Sequence, residues 1–236
     1  MWRAAFACAR LFSSDASVRS LCTQRQLCPC EAESFQRDRG DGYRETADNA
    51  VRAPGTKADG LGSGLVGDTI GDRANHGGDE QAVYAYPREE LDHWQEVLGR
   101  ELPSGTFGEN LTTTGLDISG ALIGERWQIG DEVVLQVTCP RIPCSTFRGW
   151  INETGWLKTL TAAAMPGAYL SVVTPGFVRS GDLLAVVHRP GHEVTVATVF
   201  RALTLEPNQL PSILATADLP SEARSMASQG RTFSLY

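Results

Sequence analysis

From residue 121 onward the chain is cut into short apolar runs by turn residues: Gly130-Asp131, Pro175-Gly176, Ser180-Gly181-Asp182 and Pro190-Gly191. Runs of this length between turns are read as strands, and several of them in succession predict a barrel or a sandwich. The clearest run is 132–139, where Val133, Leu135, Val137 and Cys139 alternate with Val134, Gln136 and Thr138. That period of two is the signature of a half-buried strand. Residues 121–129 read as its hairpin partner, and 167–174, 177–178, 183–187 and 194–200 as further strands. The fold class implied is mainly β with flanking α-helices.

The strand at 132–139 ends abruptly. Pro140 has no N–H to donate to a ladder and Pro143 fixes its own backbone, so the chain leaves the sheet in a restricted geometry and presents Cys144. Arg141 lies close by in sequence, and a guanidinium near a thiol favours the thiolate, the form that attacks electrophiles and binds soft metals. The competing reading is a free cysteine that only fills a core.

A chain of 236 residues with 42% hydrophobic content supports one sizeable domain with appendages, or two small domains. A net charge of −7 argues against nucleic acid or an anionic membrane as the main partner. No stretch approaches the roughly 20 apolar residues of a membrane helix. Of six cysteines, four precede residue 31 and the other two are Cys139 and Cys144, which fits a reducing compartment better than a disulfide framework. A cytoplasmic protein is the expectation, with an organelle as the alternative, because residues 1–20 carry Arg3, Arg10 and Arg19 against the single acid Asp15 in the manner of a transit peptide. Cys22, Cys28 and Cys30 lack zinc-ligand spacing, and 31–49 is charged and poor in aliphatic residues, so 1–50 is expected to be a disordered extension.

Between these regions, Gly62-Ser63-Gly64-Leu65-Val66-Gly67 matches a dinucleotide-binding fingerprint in letters only, because no strand precedes it and no helical period comes after it. His76-Gly77-Gly78 reads either as a plain turn before a strand at 81–86 or as a ligand-approach segment with main-chain N–H groups free for an anion. Pro87 opens a helix with acids at Glu89, Glu90 and Asp92, an apolar face at Leu91, Trp94, Val97 and Leu98, and a stop at Gly99. Gly105-Thr106-Phe107-Gly108-Glu109-Asn110-Leu111 is irregular, and its acid and amide suit either ligand hydrogen bonds or the fastening of the loop itself.

Three segments in this order, Gly67-Asp68 through His76-Gly77-Gly78 to Tyr84-Ala85-Tyr86, then Gly105 to Leu111, then Pro140-Arg141-Ile142-Pro143-Cys144, resemble the MOSC domain, and most closely its small stand-alone bacterial branch. The resemblance implies a β-barrel over 51–203 with short helices, followed by a helical tail over 204–236. It implies a molybdopterin-type molybdenum cofactor with Cys144 as the metal ligand, and the reduction of N-hydroxylated compounds such as hydroxylaminopurine bases. His76, Gly77, Gly78, Glu109, Asn110 and Arg141 fall on the family's pocket-lining segments. By inference from that placement, Arg141 and Arg73 offset the cofactor's phosphate, Asn110 and backbone N–H groups bond the pterin edge, and Glu109 is a proton donor. Electrons come from a separate reductase, since no cysteine spacing marks a fused iron–sulfur domain. Residues 1–50 do not resemble the strand with which this branch usually begins, so an exposed barrel edge is expected.

Two other functions fit the same residues. One is a module that carries the cofactor or a sulfur atom on Cys144 without turnover. The other is a metal-free cysteine enzyme with His76 as the base.

Overall fold

The computed structural model describes residues 25–27, 49–56, 59, 62–68, 70 and 76–234. Arg73, the cysteines at 22, 28 and 30, and the transit-like segment lie outside the described residues.

The alternating run forms the strand Val133–Pro140, with Val133, Leu135 and Val137 buried and Val134 and Gln136 half-exposed between them. It pairs antiparallel with Arg126–Ile129 through Ile129↔Val133 and Arg126↔Gln136, so the hairpin is present with Gly130 and Asp131 in its turn. In chain order the strands are β1 (Arg25–Leu27), β2 (Asn49–Val51), β3 (Val83–Pro87), β4 (Leu111–Thr114), β5 (Arg126–Ile129), β6 (Val133–Pro140), β7 (Ala168–Thr174), β8 (Gly176–Val178) and β9 (Leu183–His188). Six of them curl in the order β4-β3-β7-β6-β5-β9, and β1 joins the two ends by pairing with β4 and β9. β2 pairs separately with β8. The expectation of a strandless extension up to residue 50, and of an open edge, is therefore corrected at Arg25–Leu27 and Asn49–Val51. Three residues carry too little pattern to be read as a strand without their partners.

The helices are α1 (Arg88–Leu98), α2 (Ser145–Ile151), α3 (Trp156–Ala163), α4 (Val196–Thr204), α5 (Leu210–Ile213) and α6 (Ser221–Ser228). α1 starts after Pro87 and stops at Gly99, whose φ of 62° is the left-handed cap that glycine tolerates. It is the crossover of a β–α–β unit, and β3 and β4 accordingly run parallel. The strand expected at 194–200 is instead the helix α4. Its β-branched residues favour a strand in isolation, but Val196, Val199, Phe200 and Leu203 are buried at helical spacing, and the Thr195 side chain caps the helix by accepting from the Thr198 N–H at 3.0 Å.

The barrel interior holds Leu65, Ile123, Trp127, Ile129, Leu135, Val137, Leu170 and Leu184, and the same apolar cluster continues through Val199, Leu203, Leu210, Ile213 and Met226. The segment after 204 is thus one end of the barrel's core. Phe233 closes onto it by donating its N–H to the Leu203 carbonyl at 2.9 Å. A second cluster lies between β3 and helices α1 to α3: Tyr86, Trp94, Phe107, Phe147 and Trp156 meet edge to face, with centroids 4.9–6.0 Å apart. Among the described residues no helix is long and apolar enough to cross a membrane.

One acid, half-buried, lies beside that second cluster. Glu90 on α1 accepts from the Ser119 hydroxyl at 3.1 Å with one oxygen, and its other oxygen makes no hydrogen bond. Burial pushes its pKa up to about 7, with the neighbouring polar groups of Tyr86 and Ser119 opposing the rise. The folded state therefore holds the proton more tightly than the unfolded chain. The associated stability is complete below about pH 4.5 and is lost as pH rises towards 7. Glu90→Gln is expected to match wild type near pH 4.5 and to exceed it by about 2 kcal/mol at pH 8 in urea unfolding, after allowance for solvent screening. Equal midpoints at both pH values would contradict this.

Candidate functional site

β6 and β7 are held out of simple register between Val137 and Cys139, and the Thr138 hydroxyl at this irregularity contacts the carbonyls of Tyr169 (2.9 Å) and Glu80 (2.5 Å). An irregularity of this kind bends a strand and re-aims the chain beyond it. That chain is Pro140 to Pro143 and then Cys144, whose extended backbone (φ −120°, ψ 173°) caps α2. Cys144 is half-buried beside the aromatic cluster, whereas Cys139 is buried.

The Cys144 sulfur is stabilised as a thiolate from several sides. The His76 side chain hydrogen-bonds it, the Phe147 backbone N–H donates to it, and the Arg141 guanidinium adds its charge; burial opposes them, and the balance brings the pKa down to about 6. In cofactor-free protein, the rate of Cys144 alkylation by iodoacetamide is expected to be half-maximal near pH 6, against about 8.5 for an ordinary thiol. His76→Ala should move that midpoint upward; an unchanged midpoint would show that the imidazole has no part in it.

Arg141 reaches back from the same segment. Its guanidinium carbon lies 4.9 Å from the centre of the Tyr84 ring and 4.5 Å from that of Phe147. One terminal nitrogen donates to the Phe107 carbonyl, and Nε is buried without a hydrogen bond. Tyr84 donates its hydroxyl to the Pro166 carbonyl at 2.8 Å, and its ring lies 5.2 Å from that of Tyr169, tilted by 43°. Tyr169 is half-buried on β7, near both Arg141 and Cys144; burial raises its pKa and Arg141 opposes the rise.

The loop before β4 forms the opposing wall. Glu109 is 2% exposed, and its carboxylate accepts from the N–H of Gly105 (2.6 Å), the N–H of Phe107 (3.0 Å) and the hydroxyl of Thr112 (3.1 Å). Burial raises its pKa despite these bonds. Glu109 holds the turn whose carbonyls then face outward: Phe107 to Arg141, and Thr106 to the Trp150 indole N–H at 2.7 Å. Both oxygens of the expected proton donor Glu109 are thus engaged by donors of its own loop. No arginine pairs with it among the described residues.

Asn110 is likewise directed into the protein. Its side-chain oxygen accepts from the Tyr84 N–H and its amide donates to Asp68, both at 2.8 Å. It fastens β3, β4 and the Asp68 segment together. Gly77 donates its N–H to the Gln81 side chain at 3.2 Å, so that donor is not free for an anion as expected. Its need for glycine is local: φ is +86°, and a Cβ would stand 2.8 Å from Ile70. Gly78, with φ 85°, precedes a short 3-10 turn, Asp79–Gln81.

Of the residues singled out from sequence, His76, Arg141 and Cys144 meet in space. Glu109, Asn110 and Gly77 build the surrounding walls. Tyr84 enters the sequence reading only as part of the first family segment, and Tyr169 carries no sequence signal for chemistry, although it is legible as a residue on the face of its strand opposite Leu170.

Residues 72–185 match the MOSC domain. Among curated relatives, the chain is 35% identical over 130 residues to the uncharacterized protein YflK of Bacillus subtilis, covering 55% of this chain and 58% of that one. It is 31% identical over 166 residues to the protein YiiM of Escherichia coli, covering 66% and 71%. A protein named Reductase from Gibberella moniliformis is 28% identical over 161 residues, 67% of this chain but 28% of that one. The chain thus spans less than two thirds of the length of YflK and of the reductase. The crystal structure of YiiM from Geobacillus stearothermophilus superposes with a TM-score of 0.61 at 26% identity, over 65% of this chain and 80% of that one.

Proposed function

The chain belongs to the MOSC domain family, and on that premise we propose that it binds a molybdopterin-type molybdenum cofactor through Cys144 and reduces N-hydroxylated compounds, hydroxylaminopurine-type bases among them. The observation that carries this reading is the half-exposed Cys144 sulfur, drawn towards the thiolate by His76 and Arg141. One soft sulfur beside a fixed cation fits a metal whose other ligands include the sulfurs of an organic cofactor. The buried, unbonded Nε of Arg141 also suits an anionic neighbour, such as the cofactor's phosphate or a substrate oxygen. A relative named as a reductase supports the oxidoreductase class.

When bound, the cofactor supplies the two-electron couple of the reaction. The protein's own part is to hold the metal through Cys144, to keep His76 against that sulfur, and to fix Arg141 between Tyr84 and Phe147. Electrons reach the site from a separate reductase. The test is molybdenum analysis of protein from a cofactor-competent host, with 6-hydroxylaminopurine reduction measured beside it. Loaded protein that turns over no N-hydroxy substrate would favour a carrier. The His76–Cys144 hydrogen bond also suits a thiol nucleophile working without metal, and protein that carries no molybdenum would favour that reading.

A further inference from the structure

We propose that Tyr169 is the catalytic acid of this site, the group that protonates the hydroxyl leaving an N-hydroxylated substrate. The inference rests on the proposed function and adds a residue to it. Reduction of R–NH–OH to R–NH2 consumes two electrons and two protons and releases water. The N–O bond breaks, and hydroxide is a poor leaving group unless a proton reaches the oxygen as it departs. Some group beside Cys144 must supply that proton.

The titratable side chains around the sulfur narrow the choice. Glu109 is sealed in its own loop with both oxygens hydrogen-bonded. The Tyr84 hydroxyl already donates to the Pro166 carbonyl, and the Tyr86 hydroxyl to that of Met165. Arg141 is fastened to Phe107 and stays charged throughout. His76 is engaged with the Cys144 sulfur itself. Tyr169 differs from all of these. Its ring is fixed at 5.2 Å against Tyr84, it is half-buried rather than sealed, and it lies within electrostatic reach of Cys144 and Arg141. Its hydrogen bond with Thr138 is made by the backbone carbonyl, and among the described residues no hydrogen bond of its hydroxyl is found.

In the step, the Tyr169 O–H bond breaks as its proton passes to the departing hydroxyl, which leaves as water; the two electrons that cleave the N–O bond would be supplied by the molybdenum cofactor when bound, and the second proton, from solvent, goes to the nitrogen. The Arg141 guanidinium stands beside the phenolate that remains until solvent reprotonates it. The same hydroxyl should hold the substrate's N–OH oxygen before any electron arrives, so binding to cofactor-free protein also depends on it.

The experiment compares wild type, Tyr169→Phe and Glu109→Gln. Metal content, kcat and KM are measured for a hydroxylamine and for its O-acetyl ester, whose acetate leaves without protonation. Binding of a non-reacting hydroxamate to the cofactor-free proteins is measured by calorimetry. Tyr169→Phe is expected to carry wild-type molybdenum, to lose about 100-fold in kcat on the hydroxylamine with KM changed far less, to keep its rate on the ester, and to bind the hydroxamate about 5-fold more weakly. If wild type turns over and Tyr169→Phe matches it, or loses both substrates equally, the inference is overturned while the proposed function stands. If Glu109→Gln alone shows the substrate-selective loss, Glu109 is the acid and the inference fails. Wild type that carries no molybdenum and turns over neither substrate overturns both.

Discussion

Cys144→Ser protein made in a cofactor-competent host is expected to carry less than about one tenth of the molybdenum found in wild type, and to lose reduction of N-hydroxylated substrates by about 1000-fold or more. A serine hydroxyl is not ionised at neutral pH, and its oxygen is a poor partner for a metal that prefers sulfur. The usual objection, that the variant merely unfolds, is met by the position itself. Cys144 caps α2 without a side-chain hydrogen bond, and serine is among the preferred residues at such a cap. Stability should therefore hold or rise by a few tenths of a kcal/mol. Metal analysis with thermal unfolding on the same samples separates the two effects. A Cys144→Ser protein with wild-type molybdenum would remove the central ligand from the proposed function.

Glu109→Ala is expected to be the most destabilising single substitution among the wall residues, at about 3–5 kcal/mol. Removing the carboxylate strips a buried acceptor from the N–H groups of Gly105 and Phe107 and from the Thr112 hydroxyl together. Those donors are then left without partners in a place water does not easily reach. The turn they hold also positions the carbonyls that receive Arg141 and Trp150, so the cation beside Cys144 loses its anchor along with the loop. Urea unfolding gives the stability change, and molybdenum content gives the effect on loading. A loss under about 1 kcal/mol with loading unchanged would mean that the loop stands without its acid.

The barrel's long strands and α1 are legible in the sequence because each carries its own signal. Val133 to Cys139 alternates cleanly, and α1 is bracketed by Pro87 and Gly99. α4 reads wrongly as a strand because Val194, Thr195, Val196 and Val199 are β-branched; only the burial of Val196, Val199, Phe200 and Leu203 on one side reveals the helix. β1 is three residues long and exists through its pairing with β4 and β9, which no local pattern announces. The site divides in the same way. Cys144 and Arg141 are visible because two prolines isolate them at the end of a strand. Glu109 and Asn110 are visible as polar residues in a loop, but sequence does not say whether a polar side chain faces a ligand or its own backbone, and here both face inward. Tyr169 looks like any aromatic residue in a strand until the irregular β6–β7 pairing sets it opposite Cys139, within electrostatic reach of Cys144.

The parallel pairing of β3 with β4 has a consequence for how this protein acquires its activity. His76 precedes β3, Glu109 precedes β4 and Cys144 comes after β6, so these residues meet only after the crossover through α1 is complete and β7 has seated between β3 and β6. Pairings between distant parts of a chain form late, because loop closure must come before they can stabilise anything. A partly folded chain therefore lacks the assembled site. On the proposed function, cofactor uptake would check the finished molecule, and a ligand that binds only the native state would shift the population further towards it.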